Sequence, residues 1–284
     1  MSIITRFAPS PTGYLHLGHA YAALVGWQRA REAGGRFLLR LEDIDPGRCQ
    51  PGFAVAIQED LTWLGLDWDG EVRVQSQHLP EYRAALEALH GRGLLYPCFC
   101  TRADIQREIA RSASAPHAPD GSAVYPGTCR CLSEAERMTR IARGEPFALR
   151  LDIARALAAV PRSLSFFEEG EGDLACHPGL FGDAVLARKD APASYHLCVT
   201  YDDALQGVTL ITRGVDLKPA THLHRLLQAL MGWPAPRYAH HPLLTDNAGR
   251  RLAKRDRAAT VRGLREAGVS ATEARRMAQG QLTR

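Results

Sequence analysis

Residues 7–20 read FAPSPTGYLHLGHA, which sets His16 and His19 three apart around Gly18, after a proline-broken loop and before an apolar run. Imidazoles at the mouth of a helix can donate hydrogen bonds to an α-phosphate as it gains charge in a displacement, and donors fixed where charge develops are effective catalysts. A glycine between them lets backbone approach a ligand without a Cβ clash. Near the other end, RRLAKRD at 250–256 carries Lys254 in a basic segment after Gly249. An ammonium there can reach phosphates as a point charge. Read singly, the first motif also fits two surface histidines and the second a solvated basic turn.

Two further clusters carry chemistry. CFC at 98–100 and CRC at 129–131 bracket a 28-residue loop. Thiols recurring in such pairs suit a tetrahedral zinc ion, and chemistry alone selects Cys98, Cys100, Cys129 and Cys131, with four free thiols as the alternative. Cys49, Cys176 and Cys198 have no partner spacing and read as simple thiols. Arg6 ends the first apolar strand candidate and Arg213 ends VTLIT. Either guanidinium can hold a carboxylate in bidentate geometry, or pair internally with an acid such as Asp43 or Asp216.

Positioning these groups falls to an alternating pattern. SIITRFA reads as a strand broken by PSPTG, and HAYAALVGWQRAREA has helical periodicity that stops at Gly34-Gly35. RFLLRLEDID reads as a second buried strand, and FAVAIQEDLTWLGL and LPEYRAALEALHGRG as helices. This order predicts a parallel sheet with crossover helices, and the loop after its first strand is where such sheets bind nucleotides. From residue 98 to about 178 the pattern changes to a cysteine-bearing insertion with strands of antiparallel character, FALRLDI and SLSFFEEG. The α/β pattern resumes with DAVLARKD, SYHLCVTYDDALQGVTLITRG and a helix-like VDLKPATHLHRLLQALMG, and ends in a short Arg/Ala-rich helical tail.

Bulk properties narrow the class. With 45% apolar and 23% charged residues, the 284-residue chain has the composition of a globular protein. It lacks both a run long enough to cross a bilayer and a secretory leader, so no membrane partner is expected and the cytoplasm is the expected location. Seven cysteines, an odd number, favour thiols or a metal over a disulfide framework. Residues 246–284 hold ten Lys or Arg against four Asp or Glu, which suits a polyanion, or equally a solvated charged helix.

RFAPSPTGYLHLGH and RRLAKR resemble the two signature motifs of class I aminoacyl-tRNA synthetases of the glutamate and glutamine subgroup. The likeness extends through LRLEDID, ASYHLCVTYDD and LITRGVDL, and so spans most of residues 3–256. In the second motif Arg251 replaces a lysine and Ala253 a serine, while Lys254 is retained. The resemblance implies a Rossmann-like parallel-sheet catalytic domain over 1–97 and 179–245, a zinc-bearing insertion over 98–178, and a lysine-motif loop with a short basic helical tail over 246–284. It implies ATP with Mg²⁺ bound by His16, Gly18, His19 and Lys254, the two histidines and the lysine being catalytic. It further implies a glutamate pocket of Arg6, Ala8, Ser10, Glu42, Tyr195 and Arg213, with Glu42 on the substrate ammonium.

YPGTC resembles a segment of a short glutamyl-synthetase paralogue in which a tyrosine and the next cysteine complete a structural zinc site, here Cys98, Cys100, Tyr125 and Cys129. Only 28 residues follow Asp256. That resembles the glutamyl-Q tRNA(Asp) synthetase family, which implies transfer of glutamate to queuosine at the wobble position in the tRNA(Asp) anticodon stem-loop. The alternative is a truncated glutamyl-tRNA synthetase that charges a tRNA 3′ end.

Overall fold

A computed structural model describes residues 2–111, 118–119, 121, 123–244 and 260–280. Strand β1 (Ile4–Phe7) leads through the proline loop into helix α1 (Leu17–Glu32), which returns to strand β2 (Arg36–Leu41). Helix α2 (Pro51–Trp63) begins with proline at its first turn, where no intrahelical donor is lost, and leads to the short strand β3 (Arg73–Val74) and helix α3 (Leu79–Gly91). β1 pairs with β2 and β2 with β3, all parallel, as the crossover pattern predicts.

Strand β4 (Leu95–Cys98), helices α4 (Arg102–Arg111) and α5 (Glu134–Ala142), strand β5 (Ala148–Leu151) and helix α6 (Ile153–Ala158) follow. Strands β6 (Ser165–Glu168) and β7 (Gly172–Ala175) form a hairpin, and strand β8 (Val185–Ala187) runs up to helix α7 (Tyr195–Leu205). Strand β9 (Leu210–Gly214), helix α8 (Ala220–Met231) and strand β10 (Arg237–His241) complete the sheet, and helices α9 (Val261–Glu266) and α10 (Ala271–Ala278) form the tail. β10 lies parallel between β9 and β6. Just before β9, Thr209 N–H donates to the Ile4 carbonyl at 3.0 Å, so β9 runs on beside β1. The architecture is the expected Rossmann-like parallel sheet with crossover helices.

Two features differ from the sequence pattern. SLSFFEEG, placed in the insertion, supplies β6, which bonds to β10 in the main sheet, so residues 98–178 do not follow a sheet boundary. DAVLARKD, read as the resumption of the parallel pattern, supplies β8, which pairs antiparallel with β5 in a separate sheet ordered β4-β5-β8. Strand pairing is non-local, and neither partner is encoded in the hydrophobic period of the segment itself.

One core lies between α1, β1, β2 and α2 and is closed by Val261, Leu264, Ala274 and Ala278 of the tail. Another lies among α3, α6, α7 and α8. Gly26 brings α1 close to the sheet: a Cβ there would sit 3.0 Å from Thr212 Oγ1, and Thr5 Oγ1 donates to the Gly26 carbonyl at 2.8 Å. That contact fixes the helix whose first turn carries the histidines. No helix among the described residues is long and apolar enough to cross a membrane.

Candidate active site and cysteine cluster

His16 is the N-cap of α1, and both histidines take part in the cap. Gly18 N–H donates to His16 Nδ1 at 3.1 Å, and His16 N–H donates to His19 Nδ1 at 3.3 Å. The rings stack with centroids 3.7 Å apart. An Nδ1 that accepts carries no proton, so the cap puts the proton of each imidazole on Nε2. The glycine between them has a steric reason besides the expected one: a Cβ at Gly18 would lie 3.0 Å from the His16 ring.

His19 lines a cavity of about 420 Å³ whose other walls include Arg6, Ala8, Ser10, Glu42, Tyr195 and Arg213. The structure thus gathers all six positions of the expected amino-acid pocket beside a motif histidine. Of the internal ion pairs considered for the two arginines, Arg6 forms one, with an acid other than the two named as examples. Arg6 Nε donates to Asp203 Oδ1 at 3.0 Å and its NH1 to the Thr212 carbonyl at 3.1 Å. Asp43 instead accepts from the backbone and hydroxyl of Ser76. Arg213 bonds neutral partners: Nε to His240 Nε2 at 3.1 Å, NH1 to His224 Nδ1 at 3.2 Å and NH2 to Thr221 Oγ1 at 2.7 Å. Burial, reinforced by Arg213, lowers His240 to about 3 and His224 well below the ordinary histidine range. His240 is therefore neutral, and its Nδ1–H donates to Glu168 at 2.7 Å.

Under this cavity lies a buried charged layer. Arg40, fully enclosed on β2, donates to Asp203 at 2.6 Å, and Arg73, Gln75 and Tyr82 all donate to Asp202. Burial opposes ionisation of Asp203, but Arg6 and Arg40 hold its carboxyl below the usual range. Glu42 is different: its Oε1 is sequestered without a hydrogen-bond partner. Burial pushes its carboxyl up to about 7 against the pull of Arg40 and Arg6. Two guanidinium groups and one unpartnered carboxyl facing one cavity are complementary to a dicarboxylate that carries a single ammonium.

Asp203, His224, His240 and Thr221 were not singled out from the sequence. For Asp203 a signal existed, since Tyr195, Val199 and Asp203 recur every four residues on α7 and so share one face. For the others none did, because they reach Arg213 from α8 and β10. Lys254 and the rest of RRLAKRD lie outside the described residues. The described chain resumes at Thr260, which forms an antiparallel bridge with His16, and Val261 N–H donates to the Leu15 carbonyl at 2.8 Å.

In the insertion the ligand atoms of Cys98, Cys100 and Cys129 lie within 4.8 Å of one another. Tyr125 Oη is 3.4 Å from Cys100 Sγ and accepts from Cys129 N–H at 2.8 Å. Cys131, the residue that spacing favoured, is exposed and is not part of this group. A short turn over Thr128–Cys131 puts Cys129 inside and Cys131 outside. The Cys129 thiol is lowered to about 6 chiefly by its contact with Cys98, whose own thiol is raised to about 12. Three soft donors and one oxygen at this spacing fit a tetrahedral thiophilic ion such as zinc.

A family model described as "tRNA synthetases class I (E and Q), catalytic domain" matches residues 2–277. Among curated relatives, a glutamyl-Q tRNA(Asp) synthetase of Rhodobacter capsulatus is 47% identical over 97% of this chain and 99% of its own. A glutamate–tRNA ligase of Aquifex aeolicus is 39% identical over 93% of this chain and 54% of its own. The crystal structure of a glutamate tRNA ligase from Elizabethkingia meningosepticum, in complex with its amino acid, superposes with a TM-score of 0.75 at 29% identity, covering 90% of this chain. The chain spans about half, 52%, of the length of that solved structure.

Proposed function

The chain belongs to the class I tRNA synthetases of the glutamate and glutamine type, and from that membership we propose that it activates L-glutamate with ATP and transfers it to queuosine at the wobble position of tRNA(Asp). The observation that carries the first half is the cavity in which Arg6, Arg213 and Glu42 face one space walled by His19. In this reading the two guanidiniums hold the side-chain carboxylate in place, Glu42 takes the ammonium, and Tyr195, Ala8 and Ser10 bound the chain. The α-carboxylate then attacks the α-phosphorus of ATP. A new O–P bond forms, the bond to the β-phosphate oxygen breaks, and pyrophosphate leaves.

His16 and His19 act on that phosphate as donors. The cap that holds their Nδ1 atoms as acceptors puts the proton on Nε2, and Nε2–H is the group that donates to a phosphoryl oxygen in this reading. Gly18 adds the first-turn backbone, and Lys254 supplies a point charge on the leaving pyrophosphate. Support for Lys254 comes from its tether: it lies six positions before Thr260, which bridges to His16. Mg²⁺ accompanies ATP and offsets its charge. Zinc, when bound, acts as a structural anchor held by Cys98, Cys100, Tyr125 and Cys129.

The acceptor assignment draws on the names of the relatives and on the basic tail. Part of that tail's charge is used internally: Arg262 pairs with Glu266 at 2.8 Å, and Arg275 donates to the Leu64 carbonyl at 3.1 Å. The remaining charge contacts phosphates of the anticodon stem-loop. The test is to supply labelled glutamate and ATP with tRNA(Asp) containing queuosine, tRNA(Asp) lacking it, and tRNA(Glu). Label on the queuosine-containing RNA alone is expected. Label confined to tRNA(Glu) would replace this reading with 3′-end charging.

A further inference from the structure

The sheet ordered β7-β6-β10-β9 brings three polar side chains onto one of its faces. His240 on β10 pairs in register with Arg213 on β9, and Glu168 on β6 pairs with Tyr238, two positions before His240. Residues two apart on a strand share a face, so Glu168, His240 and Arg213 lie side by side across three adjacent strands. All three are enclosed: Glu168 is 2% exposed, Arg213 5%, and the His240 side chain 1%.

Both oxygens of Glu168 are committed to one residue. Oε1 accepts from the His240 backbone N–H at 2.9 Å, and Oε2 accepts from His240 Nδ1–H at 2.7 Å. The imidazole proton is thereby drawn to Nδ1, and Nε2 is left as the acceptor for Arg213 Nε at 3.1 Å. In the reverse tautomer Nε2–H would confront an N–H of Arg213, and Nδ1 would turn a lone pair toward the carboxylate. The ring is therefore fixed from both ends.

Arg213 is the end of this chain that meets the amino-acid pocket, and Glu168 itself is not among the residues that line the cavity. A guanidinium has five N–H donors. His240, His224 and Thr221 take three of them, one from each nitrogen. Among the described residues this leaves one N–H on each terminal nitrogen, a pair that can grip a carboxylate in bidentate geometry. Such a fork of donors suits oxygen lone pairs. A side-chain amide would set its own N–H against one of them, so the aim of the guanidinium distinguishes an acid from an amide.

We propose that Glu168 is a positioning residue of the amino-acid pocket: through His240 it holds the Arg213 fork in the orientation that takes the carboxylate of glutamate and turns away the amide of glutamine. The proposal rests on the synthetase reading above.

The experiment has a spectroscopic and a kinetic arm. In wild type carrying ¹⁵N-labelled histidine, with His240 assigned through its backbone, Nδ1 should be the protonated nitrogen and Nε2 the bare one. A proton on Nε2 overturns the proposal without recourse to any variant. The kinetic arm uses Glu168→Gln, whose amide offers one oxygen and one NH2 and so cannot accept from both His240 donors. Its KM for glutamate in ATP–pyrophosphate exchange should rise about tenfold, the scale of one hydrogen bond to a charged group, with kcat within about twofold of wild type. Glutamine, tested as an inhibitor of that exchange, should bind the variant as weakly as it binds wild type, so discrimination shrinks with the rise in KM. An unchanged KM, a loss confined to kcat, or an equal weakening for glutamine overturns the proposal, since a merely structural carboxylate would act in one of those ways. If wild type shows no glutamate-dependent exchange, the synthetase reading fails, while the His240 tautomer still decides the relay.

Discussion

Beneath the amino-acid pocket, Arg6 and Arg40 share Asp203 while Arg73 and Tyr82 converge on Asp202, so each buried charge meets its opposite within the chain. In the insertion, Cys98, Cys100 and Cys129 meet one another, with a phenol as the fourth neighbour. Like faces like there, and ionising the thiols without a cation would set negative charges against each other. In the first region Arg6, Arg40 and Arg73 are neutralised by Asp202 and Asp203. The second has the spacing of a group that could hold a metal ion. This difference teaches that buried charge is matched side chain by side chain in the first region, with Glu42 Oε1 sequestered and unpartnered, whereas the second gathers groups of one kind at a spacing that could hold an ion.

The sharpest test of the first half is Asp203→Asn. It strands two buried guanidiniums, and breaking a buried pair in this way costs about 3–5 kcal/mol. Urea unfolding should register that loss, and a change below about 1 kcal/mol would mean that Asp202 neutralises both arginines.

The counterpart in the insertion is Cys129→Ser. Metal analysis of the purified variant should find little zinc, and limited proteolysis should cut between β4 and β5, with glutamate-dependent exchange largely retained. A chelator should act alike on the wild type. Zinc content equal to wild type would remove Cys129 from the ligand set.

Arg213→Lys addresses how the pocket is held. The lysine cannot serve His240, His224 and Thr221 together, and hydrogen bonds to charged groups contribute about 1.5–3 kcal/mol, so KM for glutamate should rise roughly 10–150-fold. A rise below threefold would make the guanidinium fork dispensable.

Glu42 predicts a milder, graded effect. Its carboxyl holds a proton below about 7 in the empty pocket. A protonated carboxyl cannot pair with an ammonium, so KM for glutamate should climb about tenfold per pH unit below that value and stay flat above it. The stability sign is opposite. The folded carboxyl binds its proton more tightly than an unfolded one, so this group's contribution is fully present below the unfolded value of 4.5 and is lost as pH rises through about 7. A flat KM profile between pH 8 and 6 would remove Glu42 from the ammonium site. The smallest expected effect belongs to Cys131→Ser, which should leave zinc content and both half-reactions unchanged, because that thiol is exposed and outside the cluster.

What was legible in the sequence follows the distance over which each feature is encoded. The strand–loop–helix start and the motif histidines are local, and the structure assembles them where the pattern predicts, while of the two cysteine pairs it gathers Cys98, Cys100 and Cys129 and leaves Cys131 outside. Arg6 and Arg213 could be named as pocket residues, but their partners could not. Asp203 lies 197 positions from Arg6, and nothing in either segment specifies the pair. The same limit hid the pairing of β6 with β10 and the turn that buries Cys129 while exposing Cys131. The side-chain state of His16 was not readable from sequence either, since a cap bond at Nδ1 is a property of helix geometry.

The stacked pair at the start of α1 makes architecture and reactivity inseparable by simple deletion. Truncating His16 to alanine removes the cap that begins the helix and a hydrogen donor in the same stroke, so a dead His16→Ala enzyme says nothing about which was missed. An asparagine side chain, whose amide oxygen can still receive Gly18 N–H, retains the fold's punctuation while silencing the imidazole, and only that exchange isolates the ring's own share of the work.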